Sequence, residues 1–128
     1  MIVADASVLL EVLLHTEIGG ELETQLFAAG QTIHIPYLTD LEVLEVLRRY
    51  SRTTVISVPR ARPIEEYTDI PLNRYPHNVL APRIWELRHN FTAYDAAYIG
   101  LAEALDAPLI TCDGALAIRG HRAKVMVF

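Results

Sequence analysis

Short apolar runs alternate along this chain with longer segments of helical spacing. Ile2-Val-Ala4 is followed at once by Asp5-Ala-Ser7 and a largely apolar stretch to Leu14, the pattern of a buried strand feeding a helix. Residues 17–29 set Ile18, Leu22 and Leu26 a helical turn apart and stop at Gly30, a usual residue just past a helix end. Residues 32–35 predict a second strand, closed by Pro36, and Leu41, Val43, Leu44, Val46, Leu47 and Tyr50 a helix over 39–50 with a wide apolar face. Five of the seven prolines fall between 59 and 82, so regular structure there is short; a helix near 60–68 and a strand near 70–74 are expected. Asn78 is the expected N-cap of a helix through His89 that contains Trp85, with Pro82 accommodated in its first turn, where N–H groups lack helical partners. Thr92 is the expected cap of an alanine-rich helix over 93–105, followed by a strand over 108–112, a helical turn over 114–119 and a terminal strand over 124–127.

Strands that alternate with helices predict an α/β domain whose parallel sheet is covered on both faces. No internal repeat, low-complexity tract or linker interrupts the pattern, so residues 1–128 read as a single domain. Composition agrees, with 52% hydrophobic and 21% charged residues, which argues against disorder. No apolar run reaches the roughly 18 residues of a membrane span, so no membrane association is expected. The first 47 residues hold no Lys or Arg, whereas a secretory leader needs a positive start. A single cysteine, Cys112, excludes an internal disulfide and a Cys-based zinc finger and points to a reducing cytoplasm. It reads as a small buried hydrophobe within a strand.

The net charge of −5 is unevenly spread. Residues 1–47 carry eight acids and no base, then residues 48–62 carry five arginines (48, 49, 52, 60 and 62) and no acid. An acidic average argues against a general nucleic-acid coat, yet a local stripe such as Arg48, Arg49 and Arg52 suits phosphate contacts; a solvated face is the equal alternative.

Ligands of open α/β sheets bind beyond the carboxyl ends of the strands. Asp5 follows the first strand, Glu42 lies in the first helical turn after the second, and Asp113 follows the strand over 108–112. Asp95 shares a helix face with Ile99 and Ala102, so helical phase does not assign it to solvent. Four carboxylates that converge raise one another's pKa, and the usual remedy is a hard divalent cation such as Mg²⁺ or Mn²⁺, which suits phosphodiester hydrolysis. Taken singly, each acid has a plainer reading. Asp5 or Ser7 fits an N-cap, Thr39-x-x-Glu42 and Thr92-x-x-Asp95 fit capping boxes, Glu42 also falls on a polar stripe with Glu45 and Arg49, and Asp113-Gly114 fits a turn.

Other chemistries find little support. The histidines form no metal-ligand pair at helical spacing, and neither phosphate-binding glycine loop occurs. Tyr94, Tyr98 and Trp85 are able to stack on bases, although aromatics beside a packed helix are more often core.

Asp5-Ala-Ser-Val8, Leu41-Glu-Val-Leu44 leading to Leu47-Arg-Arg49, Leu87-Arg-His-Asn-Phe-Thr92, Ala93-Tyr-Asp-Ala-Ala-Tyr98 and Leu109-Ile-Thr-Cys-Asp113 together resemble the PIN-domain ribonucleases, with VapC-type toxins of type II toxin–antitoxin pairs as the nearest likeness. The resemblance covers nearly the whole chain, with its motifs in family order. It implies a three-layer fold with a central, mostly parallel sheet of about five strands, and a Mg²⁺- or Mn²⁺-dependent endoribonuclease. Asp5, Glu42, Asp95 and Asp113 would form the catalytic and metal-holding acidic pocket, Asp5 and Asp95 as direct ligands, and Glu42 orienting or deprotonating the attacking water. Asp113 would complete the negative pocket, while Ser7 and Thr111 would steady the ligands from behind. Water would attack the RNA phosphodiester in line, leaving 5′-phosphate and 3′-hydroxyl ends. The resemblance also implies a homodimer and a VapB-type antitoxin that blocks the pocket; the alternative is a catalytically silent PIN-fold module that binds RNA or protein. Between residues 52 and 66 the chain departs from the family, with Thr-Thr-Val-Ile-Ser-Val-Pro and two prolines four apart.

Overall fold

In a computed structural model of the chain, described at residues 1–53 and 62–128, five parallel strands form one sheet in the order β3-β2-β1-β4-β5. These are β1 (Ile2–Ala4), β2 (Ile33–Pro36), β3 (Leu72–Tyr75), β4 (Leu109–Thr111) and β5 (Val125–Val127). Between them run α1 (Ala6–Leu13), α2 (Glu17–Leu26), α3 (Leu38–Arg52), α4 (Pro63–Asp69), α5 (His77–Glu86) and α6 (Ala93–Leu105), with a 3₁₀ turn at Gly114–Ala117. The expected short elements around the prolines are present, while the sequence peculiarities at 54–61 lie outside the described residues.

The period-two alternation of strand side chains divides the core. Ile2, Ala4, Ile33, Ile35 and Ile110 pack with α1–α4 on one face; Val3 and Leu109 pack with α5, α6 and the 3₁₀ turn on the other. Helices therefore cover both faces, and the buried strands β1, β2 and β4 are apolar throughout except for His34 and Thr111, as a doubly covered parallel sheet requires. His34 keeps its polarity satisfied by Thr32 Oγ1 at 2.8 Å and the Tyr75 hydroxyl at 2.7 Å; burial lowers its pKa. The edge strands β3 and β5 are only partly covered.

Several local expectations change. The N-cap of α5 is Pro76, not Asn78, and Pro82 is the sixth residue of the helix instead of lying in its first turn. Its missing N–H therefore costs a true helical bond, and its ring faces outward. Helix α5 also ends at Glu86, three residues early, and α2 ends at Leu26, with Gly30 serving a later turn at φ +79°. Thr39 is no cap: it lies inside α3, fully buried, and its hydroxyl donates to the Tyr98 hydroxyl at 2.9 Å. Cys112 sits just past β4, half-buried. Of the three candidate stacking aromatics only Tyr98 is core; Trp85 and Tyr94 are 67% and 66% exposed.

The chain runs outward from β1 through β2 to β3, then returns to place β4 on the other side of β1. The carboxyl ends of β1 and β4 thus sit side by side where the winding reverses, which is where doubly wound sheets open a binding crevice.

Candidate active site

Asp5 follows β1 and caps α1, its Oδ1 accepting from the Val8 N–H at 3.2 Å. The Ser7 hydroxyl donates to the same oxygen at 2.5 Å, and the Thr111 hydroxyl, at the end of β4, donates to Oδ2 at 2.5 Å. Ser7 Oγ in turn accepts from the Cys112 N–H at 3.0 Å, and Thr111 Oγ1 accepts from the Asp113 N–H at 2.8 Å. These bonds tie the two strand ends together and fix Asp5 from three sides. A carboxylate has about four acceptor positions, so one remains for a further ligand. Burial pushes the Asp5 pKa up, against its hydroxyl and amide donors, and the Asp113 charge adds to the rise.

Glu42 reaches the same crevice from α3. Its pKa is pushed up to about 7, chiefly by burial and then by the charges of Asp5 and Asp95, with the Tyr98 hydroxyl opposing. That hydroxyl donates to Oε2 at 3.4 Å, leaving Oε1 free of hydrogen bonds among the described residues. Asp95, half-buried in the first turn of α6, is raised by burial and by the Asp113 charge. Thr92 is the α6 cap as expected, its Oγ1 accepting from the Asp95 N–H at 3.2 Å, and its hydroxyl opposes the rise in the Asp95 pKa. Asp113 is exposed and caps the 3₁₀ turn with Oδ1, which accepts from Ala115 N–H at 2.9 Å.

The capping and site readings are therefore not rivals at Asp5 and Asp113. A cap needs a side-chain oxygen at a helix start, and helix starts are what this sheet edge presents. All four acids act on one another electrostatically, Asp5 with Glu42 and Asp113, and Asp95 with Glu42 and Asp113. The pKa values of Asp5, Glu42 and Asp95 are raised by burial first and then by this shared negative charge, which protonation or a cation relieves. Among the described residues no three such side chains close into a cage. A cation here would be held by one or two carboxylates with water filling the remaining positions, the usual arrangement for Mg²⁺.

The arginines divide. Arg48 is turned onto its own helix by Glu45, at 2.9 and 2.8 Å. Arg49 lines two clefts along α3, one with Glu42 and Tyr94 and the other with Ser7 and Glu11, and its guanidinium makes no hydrogen bond among the described residues. Arg52 is exposed in the last turn. Sequence reasoning missed Tyr98 and Thr39 as supports of Glu42. Tyr98 offered only its apolar helical phase, and nothing in the local spacing pairs it with α3.

The PIN domain model matches residues 2–120. Ribonuclease VapC12 of Mycobacterium tuberculosis is 37% identical over 127 residues, covering 98% of this chain and 97% of that one. Ribonuclease VapC9 of the same organism is 37% identical over 122 residues, covering 94% and 92%. Among solved structures, PAE2754 from Pyrobaculum aerophilum superposes with a TM-score of 0.66 at 18% identity, covering 97% of this chain and 81% of that one. Mycobacterium tuberculosis VapC20, described as a toxin that cleaves the sarcin-ricin loop, superposes with a TM-score of 0.64 at 16% identity, covering 95% and 97%. At those identities the two structures speak for the fold alone.

Proposed function

The chain belongs to the PIN-domain family, among its VapC ribonucleases, and from that premise we propose that its acidic crevice hydrolyses RNA as the toxin of a toxin–antitoxin pair. The observation that carries this reading is the convergence of Asp5, Glu42, Asp95 and Asp113 on the reversal point of the sheet, with the pKa values of the first three raised by burial and by neighbouring charge. Asp5 and Asp95 would hold Mg²⁺ or Mn²⁺. The chemistry that such a cation supplies when bound is charge neutralisation at the phosphate and a lowered pKa of water.

The chain's own residues do the rest. Oε1 of Glu42 takes a proton from the attacking water, at a pKa suited to neutral pH. Ser7 and Thr111 keep the Asp5 carboxylate from rotating. Asp113, with Oδ1 engaged by the Ala115 N–H, keeps Oδ2 without a hydrogen-bond partner among the described residues and adds negative charge beside Asp5 and Asp95. Arg49 meets a phosphate along the α3 clefts, with Arg52 and, once freed from Glu45, Arg48 beyond it. In-line attack leaves a 5′-phosphate and a 3′-hydroxyl.

A VapB-type antitoxin and a second copy of the chain are the proposed protein partners, in the cytoplasm. Supporting them, α3 exposes Leu41 (72%) and Leu44 beside the crevice, more apolar surface than a lone helix needs. Among the described residues no helix is long and apolar enough to cross a membrane.

Cleavage of total cellular RNA in Mn²⁺, with 5′-end mapping, tests the reading. Discrete ends that vanish with EDTA and with Asp95→Asn are expected. The same ends in all three samples, or none in any, would overturn it, and binding without cleavage would leave a silent binding module.

A further inference from the structure

Beside the acidic crevice lies a second, smaller cleft of about 280 Å³, lined by Leu38, His77, Ile84, Ala93, Tyr94 and Ala97. It runs into the cleft that contains Glu42, since Leu38 and Tyr94 line both. Tyr94 precedes Asp95 directly and is 66% exposed, a large aromatic just ahead of the buried stretch of its helix over 96–102. His77, the first residue of α5, is also exposed but is held in a fixed orientation. Its Nε2 accepts from the Leu38 N–H at 2.9 Å, and Tyr37 packs edge-on against its ring at 73° and 6.2 Å between centroids. With Nε2 accepting, the neutral ring carries its proton on Nδ1, and that N–H has no hydrogen-bond partner among the described residues.

We infer that this cleft receives one base of single-stranded RNA, the base of a nucleotide flanking the cleaved phosphodiester, with Tyr94 as the stacking surface and His77 Nδ1–H as a donor to the base edge. The inference rests on the ribonuclease reading and adds a determinant of substrate choice to it. Continuity supplies the first argument. A strand whose scissile phosphate lies beside Glu42 carries a neighbouring nucleotide into the cleft that Glu42 shares with Tyr94, and Tyr94 presents an exposed ring. Chemistry supplies the second. An aromatic face accepts any base, whereas a fixed N–H donor favours bases with an acceptor facing it, so the pair combines general affinity with selectivity. Size supplies the third, because the cleft is smaller than the usual site for a drug-sized ligand, which fits one planar ring.

The test uses the full chain and a single-stranded RNA decamer spanning a mapped cleavage site, with 2-aminopurine at each flanking position in turn. In Ca²⁺, at times before cleaved product is detected, the parent and Tyr94→Phe are expected to quench the fluorophore at one position. Tyr94→Ala should lose that quenching and bind roughly 5- to 100-fold more weakly. In Mn²⁺ the same loss should fall on KM more than kcat, and an abasic nucleotide at that position should cost the parent as much as Tyr94→Ala while costing Tyr94→Ala nothing further. His77→Ala should relax the base preference at the mapped site. Equal quenching, affinity and kinetics in the parent and Tyr94→Ala, with cleavage intact, would overturn the inference alone. Normal cleavage by Tyr94→Ala with lost inhibition by the antitoxin would assign the cleft to that protein instead. A parent that neither binds nor cleaves the decamer would overturn the ribonuclease reading and this inference with it. Since Tyr94 is exposed, an unchanged thermal midpoint in Tyr94→Ala checks that the fold survives.

Discussion

Tyr98 and Glu42, on different helices and 56 residues apart, share a hydrogen bond in which the phenol donates to Oε2 at 3.4 Å. The same phenol oxygen accepts from the Thr39 hydroxyl at 2.9 Å. Thr39 and Glu42 lie one turn apart on α3, so one buried ring on α6 grips that helix at two points and orients the acid most suited to be the base. Burial, and then the Glu42 charge, push the Tyr98 pKa far above its ordinary value, so it stays a donor at any working pH.

Replacing Tyr98 with Phe removes both bonds and strands the fully buried Thr39 hydroxyl. A loss of about 1–3 kcal/mol is expected in denaturant unfolding. The double variant Tyr98→Phe/Thr39→Val should recover much of that stability, because both polar partners are then gone. RNA cleavage should stay impaired in both variants, which separates the orientation of Glu42 from the integrity of the core.

The crevice acids should make the free protein less stable as pH rises from about 4.5 to 7. Asp5, Glu42 and Asp95 have raised pKa values in the folded state, so through this window these groups bind more protons in the native chain than in the unfolded one. Their contribution to stability therefore falls with pH, while His34, whose pKa burial lowers from 6.5, acts in the opposite direction. Below the unfolded value near 4.5 both forms of Glu42 are protonated and the penalty vanishes. For this half-buried group the effect is about 1–2 kcal/mol after allowance for solvent screening. Thermal melts should show the decline, and Mn²⁺ should reverse it more strongly at pH 8 than at pH 5.

Glu42→Gln follows from the same charge balance with opposite signs for stability and activity. It should raise the metal-free melting temperature at pH 8 while lowering kcat by about 10²–10⁴-fold, the range for loss of a general base. A melting temperature that falls instead would show that Glu42 is not strained by its neighbours.

Thr111→Val takes a hydroxyl from Asp5 and an acceptor from the Asp113 N–H. Metal affinity or activity should fall about 10- to 100-fold, as for other groups that brace ligands. Calorimetric titration with Mn²⁺ measures this directly.

Far from the crevice, Arg83 donates to both carboxylate oxygens of Glu103, at 2.7 and 3.0 Å, and joins α5 to α6. The Glu103 side chain is only 5% exposed, and its remaining partners are the Arg122 backbone N–H at 2.7 Å and a guanidinium at 3.7 Å. Arg83→Ala leaves a buried charge poorly compensated, and a loss of about 2–4 kcal/mol is expected on denaturation. Adding Glu103→Gln should return part of it. Cleavage per folded molecule should be unchanged.

The alternation of apolar runs and helical periods was enough to place nearly every element, because a doubly covered sheet demands continuous apolar strands and each helix demands an apolar stripe. Asp5, Asp95 and Asp113 were equally legible, since each stands at a fixed place in chain order next to a strand end or helix start. Helix ends were less so. Asn78 has the side chain of a cap, but Pro76 sets the start of α5, and Pro82 is tolerated inside it because its ring faces outward. Thr39-x-x-Glu42 has the spelling of a capping box, yet α3 begins earlier and turns Thr39 into the core.

What the sequence determined by itself was the order of elements and the sheet edge at which the candidate acids gather, both consequences of periodicity and position along the chain. What only the tertiary structure decided was which groups meet across it: Thr111 on Asp5, Tyr98 on Glu42, and the exposure of Tyr94 and His77 on one cleft. Those partners are separated by up to 106 residues. Local propensity and helical phase carry no information over such distances, because the packing of helices on a twisted sheet, and not the neighbouring sequence, brings the side chains together.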